Sequence, residues 1–337
     1  MFMNSSVARL AGSWFIWGLS YYLYYPFVSL YVVKFVNDVT LVYLISTIFA
    51  IPFPLVGGKL ARKIGLVKTM ELGGVISGIG LVMMGLSNSL MSIIISYVIA
   101  SGFFLALPSY YSYMNNLGKG TISIVWAISI LPSLFTPYIG GVVASFLGLR
   151  EVFIIAGIFM IFTSLPLIRL KEIDVPSQVI RINYKFLIPI VVILPIALTL
   201  PFIYLVLKEA YLMSYEEIGE IATLAEILGA FFTFLYSRFT KKLFLSVYLF
   251  LFSLVSLVYI NPFFSIFFGL WEAILPSALE ESSGKSPEAL GLINTFQQIG
   301  WFIGYLASFL AFSVRLSLLS SSILAVILGI LFLFIKK

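Results

Sequence analysis

The chain contains no cysteine and no histidine. Disulfides, thiolate nucleophiles, Cys/His zinc sites, histidine-ligated haem and histidine-based triads are therefore excluded. A carboxylate-only metal site is not signalled, so no metal and no cofactor are expected. Charge is also scarce: 10% of the 337 residues are Asp, Glu, Lys or Arg, against roughly 25% in soluble domains. Apolar residues take its place, with 61% hydrophobic side chains and a mean hydropathy of +1.11. A water-soluble enzyme or nucleic-acid binder cannot hide that much apolar surface. The bilayer must be the solvent for most of this chain.

The apolar runs read as twelve transmembrane helices, near 7–33, 40–58, 67–87, 90–114, 121–147, 151–169, 186–207, 215–237, 243–260, 263–281, 287–312 and 315–335. A helix needs ~20 residues to cross the hydrocarbon. The runs are continuous rather than alternating, which argues against a β-barrel. The connections are too short to hold an extramembrane domain. The first run is longer than a signal-peptide core and lacks a small-residue cleavage site, so it reads as a span and not a leader.

The net charge of +6 is a topology signal. With the amino terminus inside, Lys34, Arg150, Lys208 and Arg315 are the only basic residues outside, out of 20. That asymmetry follows the positive-inside rule and supports an even span count, with both termini cytoplasmic in a cell membrane. It leaves no nucleic-acid footprint. The polar stretch 169–185 divides the chain into a bundle over 1–169, a cytoplasmic linker over 170–185 and a bundle over 186–337. Six spans plus six, joined inside, correspond to parallel repeats about an axis along the membrane normal.

Three local patterns point further. The loop after span 2 reads Gly58-Lys59-Leu60-Ala61-Arg62-Lys63-Ile64-Gly65, with Lys68 beyond. The loop after span 8, around Arg238, looks like a degraded second copy. Span 5 carries Pro132, Thr136, Pro137, Gly140 and Gly141, echoed in span 11 by Gly300, Gly304 and Ser308. Together these resemble the loop and span-5 signatures of the major facilitator superfamily. The usual loop acid is replaced by Arg62, and the arginine its antiporters carry in span 4 is replaced by Val98. The resemblance implies an all-α membrane fold of twelve helices in two six-helix repeats. It also implies a secondary transporter rather than an enzyme. The loop glycines permit a tight reversal, and the small residues and Pro137 permit close helix approach and a bend. Such seams serve packing, gating or both.

Two acids stand at mid-span, Glu226 in span 8 and Glu272 in span 10. A charged side chain at that depth costs at least ~2.5–3.5 kcal/mol, so both should face protein or water. Glu226 lies on a stripe of small and polar residues with Gly219, Ala222, Thr223, Gly229, Ala230 and Thr233 at helical spacing. Glu272 aligns with Ser265, Gly269 and Pro276. Span 11 presents Asn294, Gln297, Gln298 and Trp301. The family resemblance implies that these helices border a central cavity. The glutamates read either as structural hydrogen-bond partners or as proton-coupling and substrate groups. No intramembrane Lys or Arg is available as a counter-ion. Two carboxyls in a low-dielectric space cannot both ionise cheaply, which suits them to load and release a proton.

The amino-terminal half offers aromatics and hydroxyls instead. Trp17, Tyr21 and Tyr24 of span 1, Tyr111 of span 4, Trp126 of span 5 and Tyr204 of span 7 are candidate cavity-wall residues. Trp14, Tyr25 and Tyr31 read as packing or interface-belt aromatics. Glu71, near Lys68 and Arg62, reads as a local ion-pair partner that fixes the loop, or alternatively as a gating latch.

No phosphate-binding G-x-x-x-x-G-K-[ST] signature occurs, so energy must come from a gradient, most simply of protons. A monomer moving a small-molecule substrate by alternating access is the expectation. The span-5 signature and the aromatic, acidic wall lean toward efflux of amphiphilic or cationic compounds. Stacking aromatics with Asn294, Gln297 and Gln298 suit the alternative, proton-coupled import of a sugar or other polar metabolite. An intramembrane enzyme lacks a nucleophile–base pair, and a non-transporting sensor of the same fold has no feature in its favour.

Overall fold

The computed structural model describes residues 5–118, 121–176, 187–236, 241–274, 286–311 and 313–334. Arg238 and Pro276, and most of the expected linker, lie outside the described residues. Those described form helices without strands. In chain order the helices are α1 (Ser5–Tyr24), α2 (Val28–Val32), α3 (Thr40–Ala50), α4 (Phe53–Ile64), α5 (Leu66–Gly85), α6 (Leu90–Ala100), α7 (Phe103–Leu117) and α8 (Thr121–Ile130). There follow α9 (Thr136–Phe146), α10 (Leu149–Phe162), α11 (Leu187–Thr199), α12 (Ile203–Ala210), α13 (Tyr215–Tyr236), α14 (Lys241–Phe252), α15 (Pro287–Leu310) and α16 (Val314–Phe334).

Among the described residues eight helical segments are long and apolar enough to cross a membrane, against the expected twelve spans. Two of the other four, α1 and α15, are long but carry the most polar and aromatic side chains, including those of the candidate site. The remaining two are shorter apolar stretches, Phe244–Tyr259 and Pro262–Ile274. Length and hydropathy alone therefore do not establish the count of twelve.

Several expected spans are broken where proline removes a backbone donor. α1 passes through a 3₁₀ turn, Tyr25–Phe27, at Pro26 before α2 begins. α8 and α9 are separated by a 3₁₀ turn, Leu131–Leu134, at Pro132. The break thus falls before Pro137, which sits in the first turn of α9, where a proline is tolerated. Between Pro195 and Pro201 side chains of α16 bind the backbone: the Leu198 carbonyl accepts from Ser317 Oγ at 2.8 Å, and the Pro195 carbonyl accepts from Ser321 Oγ at 2.7 Å. Two long 3₁₀ segments, Ser253–Tyr259 and Pro262–Leu270, pack on each other and lead to Trp271 and Glu272.

Two seams bring early helices against late ones. At the end of the bundle nearest residues 166–175, here the linker end, α4 packs on α15. A methyl on Gly58 would lie 2.6 Å from the Pro287 carbonyl, and one on Gly291 2.6 Å from the Pro54 carbonyl. Toward the opposite end α9 packs on α13. There a methyl on Gly141 would lie 2.5 Å from the Tyr215 carbonyl, and one on Gly219 2.6 Å from that of Pro137. Gly140 of the same motif lies against Leu23 and Phe27. The echo in α15 packs on α11, with Gly300 at Ile190 and Gly304 at Ala197.

The loop signature folds as a junction. Gly65 takes φ +100°, a conformation closed to most side chains, and ends α4. The Glu172 carboxylate then caps α5, accepting from the backbone N–H groups of Leu66 and Val67 at 2.9 Å each. Arg62 does not pair with Glu71. Its Nε and Nη2 donate to both carboxylate oxygens of Glu288 at 2.6 and 2.9 Å, and Nη1 donates to the Val175 carbonyl. Lys63 points to the exterior.

Candidate functional site

A buried carboxyl needs donors, and the end of α1 with the 3₁₀ turn that follows it supplies two of them. Tyr22 and Tyr25 lie three residues apart, hence on one helical face, and each reaches one glutamate. The Tyr22 hydroxyl donates to Glu272 Oε1 at 2.5 Å. The Tyr25 hydroxyl donates to Glu226 Oε1 and lies 2.9 Å from the Tyr204 hydroxyl. Trp271 Nε1 also donates to Glu226 Oε1, at 3.2 Å. Both glutamates are fully buried. Their second oxygens, Glu226 Oε2 and Glu272 Oε2, have no hydrogen-bond partner among the described residues.

The helix backbones set this geometry. Gly229 and Gly269 let α13 and the Pro262–Leu270 segment approach closely, and a methyl on Gly229 would lie 3.1 Å from Glu272 Cβ. The two carboxyls thus belong to one electrostatic centre. Among the described residues the one ion pair is Arg62–Glu288, so neither buried glutamate has a cationic partner there. The centre offers two acceptor oxygens held by neutral donors, with an unused oxygen on each carboxyl.

An aromatic column on α1 leads to this centre. Trp17 stacks on Tyr21 at 4.9 Å and 10°, and Tyr21 on Tyr25 at 5.2 Å and 5°. Trp271 lies 5.9 Å from Tyr21. At the other end Trp14 contacts Trp17, Trp126 and Tyr111 at 5.2, 5.3 and 6.0 Å. Tyr111 in turn packs on Leu290 and Ile293 of α15. Asn294, Gln297 and Gln298 are buried on that helix.

The structure therefore brings Trp17, Tyr21, Tyr204, Glu226 and Glu272 together, with Tyr111 and Trp126 further along the column. Tyr24 turns aside, edge-on to Tyr21 and against Phe153. Trp301 stacks on Tyr305, which meets Tyr43. Tyr25 departs from its reading as packing or belt, since its hydroxyl is bound to Glu226. Tyr22 and Trp271 went unnoticed in the sequence. The signal for them was the density of tyrosine at 21–25 and the tryptophan beside Glu272.

No family model matches the sequence, and no curated protein matches it either. Among solved structures the chain is similar to the crystal structure of a point mutant of the nucleoside transporter NupG. The TM-score is 0.71 and the identity 14%, over 99% of this chain and 100% of that one. Such a likeness concerns the fold alone, and this chain shares the fold of that structure over nearly its whole length.

Proposed function

We propose that this chain is a secondary active transporter that takes up a small polar metabolite of nucleoside-like size, with protons as the coupling ion. The carrying observation is the buried centre in which Glu226 and Glu272 each use one oxygen for a tyrosine, Tyr25 and Tyr22, and keep the other without a partner among the described residues. A carboxyl held by a phenol rather than by a cation can take a proton or a substrate donor without breaking an ion pair. Two such carboxyls can hold both at once, as cotransport in one direction requires. Exchange in opposite directions on one carboxyl would make them compete.

In this reading residues 1–169 and 186–337 are two six-helix bundles that rock about the centre. The seams α4–α15 and α9–α13 open alternately, and both chain termini lie in the cytoplasm. The protein works as a monomer in the cell membrane and is not an enzyme. The span-5 glycines, which leaned toward efflux, are accounted for by close packing, Gly141 on α13 and Gly140 on Leu23 and Phe27. Buried amides on α15 and the nucleoside named for the similar structure favour import of a polar solute over export of amphiphiles.

The test is uptake and counterflow of nucleosides in liposomes of the purified protein. Glu226→Gln and Glu272→Gln should each abolish accumulation driven by a pH gradient while leaving counterflow at least partly intact. Unaltered pH-driven accumulation in both variants would refute proton coupling here. Failure of the native protein to exchange any solute in a panel of nucleosides, sugars and lipophilic cations would refute transport itself. Single cysteines at 115–119 should react from the cytoplasmic face only, which checks the orientation.

A further inference from the structure

Native interiors leave few buried polar groups unpartnered, and each one calls for an explanation. Among the described residues nine buried side-chain atoms lack a partner, three of them the hydroxyls of Ser46, Ser109 and Ser322, and four stand at the two ends of the aromatic column. At the carboxyl end they are acceptors, Glu226 Oε2 and Glu272 Oε2. At the other end they are donors. Trp14 Nε1 on α1 and Trp126 Nε1 on α8 are buried without an acceptor, and their rings are 5.3 Å apart. Trp14 is 1% exposed, so water outside the protein does not serve it. Tyr111 bridges from Trp14 to Ile293 on α15. The next residue, Asn294, and Gln298 one turn later each hold a buried, unpartnered amide nitrogen. Trp14 and Tyr22 are eight residues apart on one helix, roughly 12 Å at 1.5 Å per residue.

We propose that Trp14 and Trp126 form the acceptor-binding end of the substrate site, a specificity element opposite the carboxyls. The ligand that fits is neutral and elongated. It has hydroxyl or amine donors at one end, a flat ring in the middle and a carbonyl at the other end. The hydroxyls address Glu226 and Glu272, the ring lies along Trp17 and Tyr21, and the carbonyl accepts from the indoles. A nucleoside with a carbonyl on its base has this order of groups. The inference rests on the transport reading and adds a polarity to it.

The experiment compares uridine with the C-phenyl riboside, which keeps the sugar and the ring but has no acceptor on the ring. Both are measured as competitors of labelled uridine counterflow in the wild-type protein, in Trp14→Phe and in Trp126→Phe. Phe retains the aromatic contact and removes the N–H. Each variant should bind uridine about tenfold more weakly, roughly 1.4 kcal/mol, and the phenyl riboside unchanged. Equal weakening of both competitors, or no change for uridine, overturns the proposal. A measurement on the wild type covers the case of a variant that does not fold. Resonance Raman of the indole N–H should move to its hydrogen-bonded position with uridine and stay put with the phenyl riboside. An unmoved band with saturating uridine overturns the proposal too. If the wild type exchanges no nucleoside, the nucleoside reading of the substrate fails and takes this inference with it, whereas transport itself stands or falls on the wider panel. If it exchanges uridine but the tryptophan variants treat both competitors alike, this inference alone fails.

Discussion

Two of the junctions in which carboxylates tie early helices to late ones use different chemistry. At the linker end, Arg62 grips Glu288 as a two-pronged ion pair, with side chains 36% and 28% exposed. In the interior, Glu226 and Glu272 are fully buried and are held by the neutral donors Tyr22, Tyr25 and Trp271. Water and salt screen the first pair, so it contributes about 1 kcal/mol or less. The interior bonds are shielded, and a bond to a charged group there is worth about 1.5–3 kcal/mol. A counter-ion fixes a charge in place. A phenol leaves its carboxyl free to change protonation. The comparison teaches that a screened ion pair suits a clasp, whereas a buried carboxyl held by phenols keeps its protonation open, as the proposed coupling requires.

The largest effect should come from Glu226→Gln and Glu272→Gln. Loss of pH-driven accumulation to background, read in liposomes against retained counterflow, would set the interior junction apart from the clasp. Next, Tyr25→Phe removes the donor to Glu226 together with the Tyr204 contact, while Tyr22→Phe removes one bond to Glu272. Substrate half-saturation should therefore rise about 10–100-fold in Tyr25→Phe, equivalent to about 1.5–3 kcal/mol, and less in Tyr22→Phe. The reverse order would break the assignment of Tyr25 to two partners.

A smaller effect is expected at the α9–α13 seam. Gly141→Val forces side-chain atoms against the Tyr215 backbone, and overpacking of this kind costs about 1–3 kcal/mol. A lowered Tm with slowed transport would mark the seam as a moving contact. A lowered Tm with normal turnover would leave it as packing only. The smallest effect should be Arg62→Ala, at about 1 kcal/mol or less and shrinking as salt is raised. The swap Arg62→Glu with Glu288→Arg should recover part of it. A loss as large as that of Glu226→Gln would erase the contrast between clasp and centre.

Much of this was legible in the sequence, because a bilayer imposes its own period and length. The helical spans, the two carboxyls at depth and the aromatic face of α1 all follow from hydropathy and 3.6-residue spacing. The count of spans was less secure, since α1 and α15 carry the polar side chains that a site requires and hydropathy scores them down. Arg62 was legible as part of a loop motif. Its partner Glu288 was not, because 226 residues separate the two in the chain. The same holds for Tyr25 and Glu226, 201 apart. Tyr25 carries no local mark that distinguishes a ligand of a carboxyl from a residue of a packed wall.

The sequence by itself determined that the chain lives in lipid as a set of helices and that Glu226 and Glu272 stand where an unshielded charge is expensive. Those are consequences of composition and periodicity, which are local. Only the tertiary structure decided which tyrosine meets which carboxyl, that Arg62 closes on Glu288 rather than Glu71, and that one oxygen of each buried glutamate has no partner among the described residues. These depend on helix approach at Gly229, Gly269, Gly58 and Gly291. Contacts between distant segments are settled by packing, and no window of sequence contains both partners.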